Sequence, residues 1–278
     1  MNKKKWPKVL RAVIMIGILL FLLFPIYWML ITAFKTNMEA YLYPPSLYPQ
    51  HAVLDGFINL FTENNEFFVY YINNFYVSFA SALITCVIAI FAGYSIARFH
   101  TKWNKVFMAI LLSSQMFPIV SRMISLYSLM SKAGIINTRY GLILAIVAAQ
   151  IPFCCLLLSS FFMNIPREIE EAAYVDGASR NTILFKLITP LVTPGILAVG
   201  IYAFLMTWDD YLHAATLIQS DELRTLSVGI TLRYLGELSY DWSLINCISV
   251  IGTIPMVLVF FFFQKYMVKG LVAGAVKG

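Results

Sequence analysis

Side chains able to do chemistry are sparse in this sequence. His51, His100 and His213 stand apart from one another and outside the apolar runs, so no metal site or proton relay is suggested. Cys86, Cys154, Cys155 and Cys247 lie inside apolar runs, without the spacing of a zinc or disulfide framework. They read as small packing residues. No nucleophile can be assembled with a base and an oxyanion donor, so no catalytic residue is assigned. No Gly-x-x-x-x-Gly-Lys-Ser/Thr run is present, so the chain lacks that phosphate-cradling loop. Energy for any work must come from another polypeptide or an ion gradient. The informative polar tract is 164–186, with Glu168, Glu170, Glu171 and Asp176 among Arg167, Arg180 and Lys186.

The elements that must position this tract are apolar. Of 278 residues, 60% are hydrophobic and 12% charged. A soluble domain carries about 25% charged residues, so lipid must cover much of this chain. A membrane helix needs about 20 mostly apolar residues. Candidate spans are 12–34, a stretch within 67–97 starting near Tyr71, one from Val106 past Met116-Phe117-Pro118, 140–162, 187–208 and 243–264. The prediction is an all-α polytopic protein with six transmembrane helices in one domain. Its core spans about 71–266, and 267–278 form a tail. The apolar run behind Lys3, Lys4 and Lys5 is too long for a cleaved leader and is expected to stay as an anchor.

Basic residues cluster before the first span, in 98–105, in 164–186 and after the last span. The positive-inside rule places these segments, and both termini, in the cytoplasm. This flanking bias explains the net charge of +6 without a nucleic-acid partner. The connection 35–66 holds Pro44, Pro45, Pro49 and several tyrosines, and reads as an ordered external flap.

Within 164–186, Pro166 suits a first helical turn, and the acids that follow sit near the positive end of the helix dipole. A helix is predicted over 166–174, a sharp turn at Gly177, and a second helix over 178–186. Ala172, Ala173 and Ala178 would offer a small-residue face to a partner's groove. The alternative is an amphipathic segment lying on lipid headgroups.

The run Glu171-Ala172-Ala173, Asp176-Gly177-Ala178, Phe185 and Pro190 resembles the "EAA" loop of binding-protein-dependent ABC importer permeases. Thr189 departs from the leucine usual in that pattern. The tail, with Lys269, Gly270, Gly274, Lys277 and Gly278, resembles the maltose-type, MalG-like branch for carbohydrate uptake. Trp208-Asp209-Asp210-Tyr211, Met116-Phe117-Pro118 and Thr253-Ile254-Pro255 also look like that branch. The resemblance covers about 67–278. It implies a type I ABC importer permease fold and alternating-access import of a sugar. Implied partners are a second homologous permease, two ATPase subunits carrying ATP and Mg, and an extracytoplasmic solute-binding protein. Membership would place the chain in the bacterial cytoplasmic membrane. Glu171 would anchor to the ATPase, Ala172 and Ala173 would pack in its cleft, and Gly177 would turn the chain. Asp176, Ala178 and Phe185 complete the coupling set, and the tail adds a second ATPase contact. A non-sugar solute, or less readily a secondary transporter, is the alternative.

Other polar residues carry two readings each. Arg122 either lines a solute path or marks the outer end of the third helix. Asp209 and Asp210, with Tyr211, either bind solute or cap a helix and hold an outer gate. Tyr71, Asn73 and Asn74 open the second helix. They face a path or bond to neighbouring helices. Met116 belongs to the same path set. Pro118, Pro152, Pro194 and Pro255 are candidate kinks.

Overall fold

The computed structural model describes residues 8–63, 65–99, 101–235 and 240–275, with side chains of Asn65 and 265–275 outside the description. Among the described residues the secondary structure is helical throughout. The first helices are α1 (Lys8–Ala33), α2 (Asn37–Ala40), α3 (Asp55–Thr62) and α4 (Asn65–Arg98). Next come α5 (Lys102–Gln115), α6 (Ile119–Lys132), α7 (Arg139–Met163) and α8 (Glu168–Val175). After α9 (Arg180–Thr182) a π-helix covers Ile183–Ile188, and α10 (Thr189–Leu191) leads into α11 (Thr193–Trp208). The chain closes with α12 (Leu212–Leu217), α13 (Leu226–Tyr234) and α14 (Trp242–Ala275).

Four helices are long and apolar enough to cross a membrane, or up to six if each bent pair counts as one span. The bent pairs correct the expected third and fifth spans. The third is not continuous past Met116: α5 and α6 meet at 107°. Pro118 heads α6 and has no amide hydrogen to carry the ladder across. In the fifth, Arg180–Leu191 and Thr193–Trp208 meet at 77°. Pro190 and Pro194 each remove a helical donor there. The Leu184 carbonyl accepts twice from Thr189, from its amide and from its hydroxyl at 2.7 Å. The side chain that departs from the family pattern thus adds a second donor to a carbonyl of the π-turn. The last helix outruns its predicted end at 264 and is helical through Ala275.

The chain divides into two compact units. The first comprises Met1–Phe68 and Ile230–Ile254. Its flap is held by an internal polar net. Thr36 caps α2 by accepting from the Glu39 amide at 3.2 Å. Glu39 Oε1 accepts from Ser46 Oγ at 2.8 Å and from the Gln50 amide at 2.9 Å. Lys35 is buried, donates to Ser46 O and lies 4.8 Å over the Trp28 ring. Burial pushes the Glu39 carboxyl up, but the Gln50 amide, the Ser46 hydroxyl and the Lys35 charge outweigh it. Its pKa stays below the ordinary carboxylate value.

The second unit comprises Val69–Gly229 and Pro255–Gly278. One apolar cluster joins Ala89, Ile96, Cys155, Leu158, Ile183 and Ile188. Another joins Val77, Met130, Leu142, Ile146, Leu217 and Val228. Buried polar side chains tie the helices between them. Gln150 on α7 donates to Thr207 Oγ1 and Ala203 O on α11, and Asn74 on α4 donates to Trp208 O. Such bonds hold membrane helices together where the hydrophobic effect between them is weak.

Candidate functional site

The 164–186 tract takes a form close to the predicted one. Helix α8 spans Glu168–Val175 and begins with three acids in its first turn. Gly177 has φ +83°, the left-handed region that a side chain disfavours. The second helix forms only as α9, capped by Ser179 Oγ at the Thr182 amide, before the π-turn. Arg180 donates to the Tyr174 hydroxyl at 2.6 Å and sits 5.6 Å over the Phe99 ring.

Helix α8 has two unlike faces. Toward the chain's own core it turns Ile169, Glu170 and Ala173; Ile169 and Ala173 pack on the first apolar cluster. Away from it lie Glu168, Glu171, Ala172 and Val175, all exposed. Val175 is 87% exposed and Tyr174 48%, so an apolar patch projects between Glu168, Glu171 and Asp176. Of the three predicted small residues, Ala172 alone is fully exposed; Ala173 and Ala178 are half-buried on the core. Phe185 is 47% exposed and packs edge-on against Phe91 at 5.6 Å.

Glu170 was not singled out by the sequence, and it is the best-held acid of the tract. It is 8% exposed. Arg98 Nε donates to Glu170 Oε1 at 2.5 Å, and the Tyr94 hydroxyl donates to Oε2 at 2.7 Å. The Arg98 Nη2 also donates to Ile165 O at 3.1 Å. Tyr94 and Arg98 are four apart, hence on one face of α4. Their approach is possible because Gly93 lets α4 lie against α7: a Cβ there would stand 3.1 Å from the Ser159 backbone nitrogen.

The residues predicted for a path are scattered. Asn73 does not open a helix but lies inside α4, 2% exposed. It donates to Glu222 O and Arg224 O and accepts from Arg139 Nε. Met116 is 83% exposed at the α5–α6 break. Arg122 falls inside α6, beyond that break, half-buried, with a buried Nε that has no hydrogen-bond partner. Asp209 closes α11 and is exposed. Asp210 caps α12 by accepting from the His213 and Ala214 amides. Tyr211 stands at the head of α12. His213 corrects its expected isolation: it is 5% exposed and pairs with Asp210 at 2.7 Å. Of the tail residues, Lys269, Gly270 and Gly274 have backbone on α14, and Lys277 and Gly278 lie outside the described residues. Among the described residues no group of three or more His, Cys, Asp or Glu could hold a metal.

The model of the binding-protein-dependent transport system inner membrane component family matches residues 86–272, which include the whole 164–186 tract. The chain belongs to that family. It is a multi-pass permease component by family and by its apolar helices. A similar protein is the sulfoquinovosyl glycerol transport system permease protein SmoH of Agrobacterium fabrum. The two are 35% identical over 256 residues, 92% of this chain and 89% of the relative. The trehalose/maltose transport system permease protein MalG of Thermococcus litoralis is 30% identical over 272 residues, 96% of this chain and 97% of its own. Among solved structures, a chain of a bacterial ABC transporter that imports the acidic polysaccharide alginate superposes with TM-score 0.82. It is 20% identical, covering 93% of this chain and 95% of that one. The fold is therefore that of an ABC importer permease.

Proposed function

We propose that this chain is the permease subunit of an ATP-driven importer that moves a sugar, supplied by an extracytoplasmic binding protein, across a bacterial cytoplasmic membrane. One observation carries the docking part of this reading: α8 is packed on the core along one face and bare on the other. A bare apolar patch rimmed by Glu168, Glu171 and Asp176 suits a partner groove with an apolar floor and basic edges. That partner is the ATPase, in two copies that carry ATP and Mg. A second, homologous permease completes the membrane part. In this reading each bent pair forms one span, giving six, and both termini and α8 lie in the cytoplasm. The carbohydrate class is supported by relatives named for sulfoquinovosyl glycerol and trehalose/maltose transport.

In the cycle, closure of the ATPase pair displaces α8. Gly177 turns the chain, α9 and the π-turn pass the movement to α11, and the membrane helices rearrange to open the path outward. A path open at both ends would dissipate gradients, so the two openings must alternate. The test is the whole assembly in liposomes, with sugar uptake and ATP hydrolysis followed with and without binding protein. Glu171→Lys and Gly177→Asp are each expected to abolish stimulated hydrolysis and uptake while the protein still inserts. Normal coupling in both variants would overturn the docking assignment.

A further inference from the structure

We propose that Glu170, Arg98 and Tyr94 form the joint through which movement of α8 reaches α4, as positioning residues distinct from the partner-facing acids. The proposal rests on the docking reading above and adds a second route into the membrane helices. Two features carry it. The first is saturation. Both Glu170 oxygens are engaged from α4, one by Arg98 Nε and one by the Tyr94 hydroxyl. Arg98 reaches in addition to Ile165 O, where the tract begins. One α4 side chain therefore grips both the entry to the tract and its helix. The second is burial. The side chains of Arg98 and Glu170 are only 8% and 11% exposed. A buried ion pair adds little to stability, because desolvation offsets attraction, yet breaking it leaves a charge without a partner. Such a pair resists separation, so a push on α8 is borne by α4 instead of being absorbed in a flexing loop. The ring of Tyr94 packs edge-on against Phe162 of α7 at 5.6 Å, which braces the joint from the side.

Arg180 supports the same geometry from the other end of the tract. It bonds Tyr174 of α8 and covers the Phe99 ring, next in sequence to Arg98. The outer acid Glu171, one residue along, is exposed. Two adjacent glutamates thus divide the work: one holds the chain to itself, and the other is free for the partner.

The experiment uses the assembled importer in liposomes with two readouts: ATPase co-purified with the permease, and sugar moved per ATP hydrolysed. Glu170→Gln and Arg98→Gln are expected to keep the ATPase bound while sugar moved per ATP falls about tenfold. The exchanged pair, Glu170→Arg with Arg98→Glu, is expected to recover part of that loss, since the Tyr94 hydroxyl can also accept from an arginine but the Ile165 carbonyl loses its donor. Tyr94→Phe removes only a hydroxyl and is expected to lower the ratio about threefold without loss of protein from the membrane. It decides the matter if the charged variants fail to accumulate. A wild-type ratio in the single variants, or an exchanged pair no better than the worse single, overturns the joint. Glu171→Lys and Gly177→Asp are the reference: normal stimulated hydrolysis and uptake in both mean that the docking reading itself has failed, which a wild-type ratio at Glu170 does not imply.

Discussion

Two buried carboxylates make an instructive comparison. Glu39 in the flap and Glu170 on α8 are 7% and 8% exposed, and each lies near a buried cation, Lys35 or Arg98. Their partners differ in distance along the chain. The described partners of Glu39, from Lys35 to His51, lie within twelve positions of it. Those of Glu170 lie 72 and 76 positions away. The first net can shape only its own segment. The second joins elements that come together through the fold, so displacement of one is felt by the other. Similar chemistry thus serves to stiffen a flap in one place and to link two helices in another.

The comparison is broken most severely by removing a cation. Arg98→Ala leaves Glu170 buried and unpaired and is expected to destabilise the second unit by about 3–5 kcal/mol. Thermal unfolding in detergent would read this, and a change under 1 kcal/mol would show that the pair is not buried in the folded protein. Next comes Gly177. A valine there must adopt φ near +83°, at a cost of about 1–2 kcal/mol. The expected result is a small loss of stability with a larger loss of uptake. Thr189→Val comes next: it removes the second of two donors to the Leu184 carbonyl, the Thr189 amide remaining, and is expected to cost about 0.5–1 kcal/mol. Restoration by Thr189→Ser would sharpen the assignment to the hydroxyl.

The smallest effect is a pH dependence. The Glu39 carboxyl has a folded pKa below its unfolded value near 4.5, so it contributes stability above that pH. That contribution is lost as pH falls through the lower folded value. Glu39→Gln is expected to melt a few degrees lower at neutral pH and to converge on the wild type in acid, followed by protease resistance of the flap.

What could be read beforehand divides along the same line. Helix α8 and the turn at Gly177 were legible because their signals are local: a proline, a run of acids and a glycine within twelve residues. The orientation of α8 was not. Glu170 and Glu171 are identical in type, and only the phase of the helix against Ile169, Ala173 and the far end of α4 separates them. Tyr94 and Arg98, four apart at the end of an apolar helix, were the available hint. The sharpness of the break at Pro118 was hidden because apolar residues resume on both sides of it, although Ser113-Ser114-Gln115, Ser121-Arg122 and the proline itself were visible as interruptions. The tie from Asp210 to His213 needed the cap of α12, which is a matter of backbone geometry.

The central claim is that the bare face of α8 looks into the cytoplasm and is covered by the ATPase. Ala172→Cys tests it directly, because Cys154, Cys155 and Cys247 are buried and Cys86 half-buried, leaving little background. A membrane-impermeant maleimide applied to membranes of each sidedness should label position 172 from the cytoplasmic side alone, and assembly with the ATPase should block it. Labelling from the outer side, or labelling that the ATPase leaves unchanged, would contradict the account.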